Sequence, residues 1–188
     1  MKKIIDYKKY NDDYIIMMAN ELIRLSGDLK KEKNLYKLVN EMGFIIKIDT
    51  LEDRILAKLK INNEKVLMLN DLYSSYTKRY AIAYLLGQYI LEYKGEDIFE
   101  IEKNVYNDER IKSIKYELFA CSLLIPEDEF YKIFNKLNKS YSTNQVLDKM
   151  EKTFKVPYNM IQYYYEYLED KYSKDIIETP IIKIKKYR

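Results

Sequence analysis

The stretch Arg79-Tyr80-Ala81-Ile82-Ala83-Tyr84-Leu85-Leu86-Gly87-Gln88-Tyr89-Ile90-Leu91 decides how this chain is read. Tyr80, Ala83, Tyr84, Gly87, Gln88 and Leu91 recur on one side at helical spacing, while Ile82, Leu85, Leu86 and Tyr89 fill much of the rest. A helix that is apolar nearly all round is a buried helix.

Working towards the N-terminus, residues 65–69 and 55–60 are short, rich in branched apolar residues, and joined across Asn62-Asn63, which is turn chemistry. Residues 44–48, Phe-Ile-Ile-Lys-Ile, form a third run of this kind, so a small, mostly antiparallel, three-stranded sheet is expected. Before it, Gly43 is placed to cap a helix over residues 33–41. A first helix is expected over 12–30, from the spacing of Ile15, Met18, Ala19, Leu22, Ile23 and Leu25, with Ser26-Gly27-Asp28 ending or interrupting it.

Towards the C-terminus, residues 94–108 are polar and read as including a loop. An amphipathic helix over 109–124 is closed by Pro126, and 127–137 continues as helix. Two short helices, 144–154 and 159–168, flank Lys155-Val156-Pro157. The end, from Lys171, alternates weakly and closes on Lys183-Ile184-Lys185-Lys186-Tyr187-Arg188. The expected division is a main domain over 1–140, a small helical unit over 141–170 and a basic tail over 171–188.

Composition narrows the chemistry. The 188 residues include 33 Lys and Arg against 30 Asp and Glu, a net charge of +3, which is not the bias of a dedicated nucleic-acid binder. The 21 tyrosines could stack on bases, or simply reflect AT-rich coding, which favours Lys, Ile, Asn and Tyr together. No apolar run is long enough to cross a membrane, and the basic start is followed at once by Asp6 rather than by a long apolar region. With one cysteine, Cys121, no internal disulfide can form, and a cytoplasmic location is expected. Cys121 falls within a helical frame and reads as a small buried hydrophobe. There is no histidine. Ordinary zinc hydrolases, Ser-His-Asp triads and Cys-His dyads are therefore excluded, and any acid or base must be Asp, Glu, Lys or Tyr.

Four segments together resemble the ImmA/IrrE-type zinc metallopeptidases. Residues 79–91 look like the family's active-site helix, R-F-T-x-A-H-E-L-G-H-x-x-L. Phe119-Ala120-Cys121-Ser122-Leu123-Leu124-Ile125-Pro126 looks like its F-A-A-x-L-L-M-P segment. Phe154-Lys155-Val156-Pro157 falls where the family has a phrase close to F-x-V-S, and Val66-Leu67-Met68-Leu69-Asn70 is similar to its strand ending in Asn. The resemblance covers about residues 12–170. It implies an α+β, mainly helical, zincin-like domain with a short C-terminal helical unit.

The departures fall on the chemistry that the resemblance implies. Two histidines one turn apart would bind zinc and the glutamate between them would be the base, since i and i+4 side chains share a helix face. Those positions are Tyr84, Gln88 and Leu85 here. The third ligand, an acid before the Phe-Ala pair, corresponds to Ser113 or Lys115, with Glu117 the nearest carboxylate. Leucine cannot activate water, and phenol and amide bind zinc poorly. No catalytic residue, metal or cofactor is expected. Tyr84, Gln88 and Lys115 could instead form a polar pocket, or the site could be a filled core with Tyr84, Leu85 and Gln88 mostly buried.

Other features have plainer readings. Glu96, Asp97, Glu100, Glu102, Asp108 and Glu109 could hold a hard cation, but they lack EF-hand spacing and read as a solvated acidic loop. The expected function, by resemblance, is a catalytically inactive interaction protein linked to a phage or mobile element. Its partner would be a helix-turn-helix repressor or a host factor, with Lys183, Lys185, Lys186 and Arg188 as possible contacts. The alternative is a nucleic-acid-binding regulator using residues 144–168, with Lys149, Lys152 and Lys155, and the basic tail. A third reading is a hydrolase with an unfamiliar site.

Overall fold

The computed structural model describes residues 11–26, 29, 31–93, 98–102 and 110–178. Helix α1 (Asp12–Ser26) has Asp12 and Asp13 in its first turn and Arg24 in its last, the charges that suit a helix dipole. Asn11 Oδ1 accepts from the Tyr14 amide at 2.9 Å and caps it. Helix α2 (Glu32–Glu41) stops where Gly43 takes φ +83°, the left-handed conformation that costs glycine nothing. That turn redirects the chain into the sheet.

Strands β1 (Phe44–Asp49), β2 (Ile55–Ile61) and β3 (Lys65–Asn70) form as expected, with Asn62 Oδ1 accepting from the Glu64 amide at 3.2 Å in the hairpin turn. A fourth strand, β4 (Ile98–Glu102), extends the expected three, and the sheet order is β1-β3-β2-β4. Two of the pairings, β2 with β3 and β2 with β4, are antiparallel, and β1 with β3 is parallel. β4 lies in the stretch read as polar. Its alternation, Ile-Phe-Glu-Ile-Glu, is that of an edge strand with one face inward, and Ile101 is buried. The register sets Glu100 opposite Lys58. Of the other acidic residues in that stretch, Glu96, Asp97, Asp108 and Glu109 lie outside the described residues.

The parallel pair requires the β1–β2 connection to pass over the end of β3, and Asn70 makes that possible. Its side chain, wholly buried, donates to the Ile55 carbonyl at 2.8 Å and the Glu52 carbonyl at 3.1 Å, with the Leu51 carbonyl at 3.4 Å. Its Oδ1 accepts from the Leu72 amide at 3.2 Å. One side chain thus satisfies loop backbone groups that no strand can reach.

Helix α3 (Ser75–Glu92) begins at Ser74, whose Oγ accepts from the Thr77 amide at 3.2 Å. Ala81, Ile82, Ala83, Leu85 and Leu86 are all inaccessible to solvent, so the helix is as buried as its sequence requires. It lies against the sheet on one side and α4 (Arg110–Leu124) on the other. α5 (Glu127–Leu137), α6 (Thr143–Phe154) and α7 (Tyr158–Glu178) complete the described chain. α7 runs ten residues past the expected end at 168, so residues 171–178 are helix rather than tail. Lys171 Nζ lies 3.2 Å from Glu127 Oε2, and Tyr172 Oη donates to the same carboxylate, holding the added turns against α5. Residues 179–188, with Lys183, Lys185, Lys186 and Arg188, lie outside the described residues.

The helical unit is joined to α3 through Arg79, which is 1% exposed. Its Nε donates to the Lys155 carbonyl at 3.0 Å and its Nη2 to the Phe154 carbonyl at 3.5 Å. Lys155 ends α6 at φ 56°, and this turn presents both carbonyls to the guanidinium. Asn70→Ala should destabilise the fold by about 2 kcal/mol, because buried carbonyls lose their donor while the apolar core is untouched. A lower urea midpoint with an unchanged slope is the expected result.

Candidate functional site

Tyr80, Tyr84, Gln88 and Glu92 stand four residues apart and so line one face of α3. α4 crosses this face. A Cβ on Gly87 would stand 2.8 Å from Phe119 Cδ1, so glycine permits the two helices to approach this closely. Around that crossing, three consecutive residues of α4 reach three residues on this face of α3. Glu117 accepts from Tyr80 Oη at 2.5 Å. The Tyr116 ring meets the Tyr84 ring edge-on, with centroids 5.4 Å apart. Lys115 Nζ pairs with Glu92 Oε1, and Tyr116 Oη donates to Glu92 Oε2.

The sequence-derived site residues lie on the two crossing helices, where Tyr84 meets Tyr116, Lys115 meets Glu92 and Glu117 meets Tyr80, each partner outside that set. Leu85 is 0% exposed and faces the core, whereas Tyr84 and Gln88 are half-buried. Gln88 Oε1 is nonetheless buried, with no hydrogen-bond partner among the described residues. Tyr84 also packs on Tyr80, at 5.9 Å between centroids. Ser113 lies within α4, but its side chain is outside the described set. Lys115 has Glu92 as a partner, which the pocket reading did not include. Glu92 and Tyr116 were not singled out from sequence. The signal for Glu92 was its place one turn beyond Gln88.

The electrostatics follow from burial. Desolvation raises the Glu117 carboxyl to about 6, against the opposing pull of the Tyr80 hydroxyl that donates to it. Tyr80 is pushed well above its ordinary value, first by burial and then by the neighbouring Glu117 charge. Burial also pushes up the Cys121 thiol, and the Tyr163 hydroxyl on α7 rises through burial, Cys121 and Glu117.

A zinc ion does not fit these residues. The positions that should donate carry a phenol, an amide and either the Ser113 hydroxyl or the Lys115 ammonium; neutral hydroxyl and amide groups are poor zinc ligands, and an ammonium has no lone pair to give. Among the described residues there is no group of three or more His, Cys, Asp or Glu side chains that could hold a metal ion.

A buried helix laid on a small mixed sheet, crossed by a second helix and followed by a helical pair, defines an α+β domain of the ImmA/IrrE type. The chain belongs to the Peptidase_M78 family: the model of its IrrE N-terminal-like domain matches residues 44–165. A Mycobacterium tuberculosis transcriptional regulator has a similar structure, with a TM-score of 0.57 at 20% identity. The match covers 81% of this chain and 46% of that one, so this chain spans about half its length. The likeness is one of fold. No curated protein matches this chain. Among the described residues, no helix is long and apolar enough to cross a membrane.

Glu117 makes stability depend on pH. Its folded value of about 6 lies above the ordinary 4.5, so the folded state holds the proton more tightly than the unfolded chain. Stability should therefore rise as pH falls from 7 through 6, and its gain should level off below about 4.5. The groups facing it are Tyr80 from α3, Cys121 on its own helix and Tyr163 from α7. In Glu117→Gln this rise should be absent when urea midpoints are compared between about pH 7.5 and pH 5.

Proposed function

We propose that this chain is a catalytically inert member of its family that regulates by binding another protein. The observation that carries this reading is Leu85. It stands at the position of the catalytic base and is sealed in the core, where it can neither take a proton nor meet a water. Of the flanking positions, Tyr84 packs on Tyr116 of α4, and the Gln88 side-chain oxygen is buried. The structural neighbour is a transcriptional regulator, which is compatible with a regulatory task. The partner we propose is a protein of a phage or mobile element, or a host factor that such an element targets, with a helix-turn-helix repressor as the first choice. The setting proposed is the cytoplasm.

A second reading is carried by α6. Lys149 Nζ lies 4.2 Å above the Tyr141 ring, beside Gln145 and Lys152 on an exposed concave surface, an arrangement of cations and an aromatic ring that suits a nucleic acid. Asp148 on the same surface opposes it.

The test is capture from the native cell, followed by reconstitution with the purified partner. A saturable complex is expected that survives chelation and leaves the partner uncut. Cleavage of the partner, abolished by chelator, would sink the inert reading. A DNA shift that weakens steeply with salt and is lost in Lys149→Ala/Lys152→Ala would favour the second. Tyr84→Ala should cost about 2 kcal/mol of stability, less than a fully buried aromatic, and should leave partner affinity unchanged wherever the variant is folded. Lost affinity without lost stability would place the partner on this face.

A further inference from the structure

The failure of zinc to fit leaves a physical question: what joins α3 to α4 at this end of their crossing? We propose that a charge-swapped side-chain lock does so, with Lys115 of α4 supplying the cation and Glu92 of α3 the carboxylate. The family resemblance implies an acid on α4 and neutral donors on α3 meeting at a shared cation. Here α4 carries the cation covalently, and the acid has moved to α3, one turn beyond Gln88.

Both oxygens of Glu92 are used. Oε1 takes Lys115 and Oε2 takes the hydroxyl of Tyr116. Tyr116 is itself 3% exposed, so its hydroxyl depends on this carboxylate for a partner. Its ring is braced by Tyr84, and the Lys115 ammonium lies 5.1 Å from the Tyr116 centroid. Tyr84, at a former ligand position, thus acquires a new task, which is to seat the residue that closes the lock. The side chains of Lys115 and Glu92 keep 24% and 35% exposure, so solvent weakens the pair without cancelling it. Tyr80 and Glu117 clamp the other end of the same crossing, where Glu117 accepts at 2.5 Å. The lock concerns the scaffold and does not depend on which partner the chain binds.

A double-mutant cycle on the full chain tests it, with Glu92→Gln, Lys115→Met and the pair measured by urea unfolding at low salt. Each single change should raise the unfolding constant about fivefold, and the double change should be no worse than either alone. Tyr116→Phe should act through Glu92 and lose its effect in Glu92→Leu, which removes the acceptor. Lys115→Arg, which keeps the charge, should stay near the parent and guards against mere failure of Lys115→Met to fold. The exchanged pair Glu92→Lys/Lys115→Glu should recover part of the loss. Effects that simply multiply would overturn the lock while leaving the inert regulatory reading intact. One equivalent of tightly held zinc, with a melting temperature that drops on chelation, would overturn both.

Discussion

The close approach of α3 and α4 at Gly87 is the constraint on which the rest depends. Phe119 Cδ1 stands only 2.8 Å from where a Cβ would be, so any other residue at 87 requires the fully buried ring or the helices to shift. Once the crossing is set, the apolar sides of α3 have only two destinations, the sheet and α4. The face that carries Tyr80, Tyr84, Gln88 and Glu92 is then left at the edge of the crossing, half in and half out of water. That position suits reactive groups in an enzyme. Here it holds phenols, an amide and an ion pair.

Two polar side chains tie the outer parts to this centre. Asn70 fastens the loop that crosses β3, and Arg79 fastens the turn that ends α6. In both, a buried side chain donates to main-chain carbonyls that regular structure leaves unpaired, and both flank α3, one just before it and one in its first turns. The same motif segments that gave the family resemblance therefore have structural duties of their own. Positions 70, 79 and 119 thus hold the fold together by contacts that do not involve 84, 85 and 88.

The carboxyl of Glu117 marks the limit of that replacement. It is buried and its affinity for the proton is raised, the sort of perturbation found at catalytic sites. Yet its contacts are a tyrosine hydroxyl and neighbouring buried groups, with no second carboxylate or metal-binding cluster among the described residues. Burial accounts for the shift, against the opposing effect of the Tyr80 hydroxyl.

Much of this was legible in the sequence. The all-round apolar run at 79–91 meant a buried helix and Gly43 meant a left-handed stop, because each of these is a local consequence of residue type and spacing. β4 was not legible: Ile98–Glu102 is short and acidic, and it becomes a strand because β2 offers an edge with Lys58 in register. The last turns of α7 were hidden for a similar reason, since Glu127, far away in sequence, is what Lys171 and Tyr172 hold. The partnership of Lys115 with Glu92 lay equally out of reach. A sequence states which side chains share a helix face, but the angle at which two helices cross decides which faces meet, and that angle is set by the whole packed core around Gly87 and Phe119.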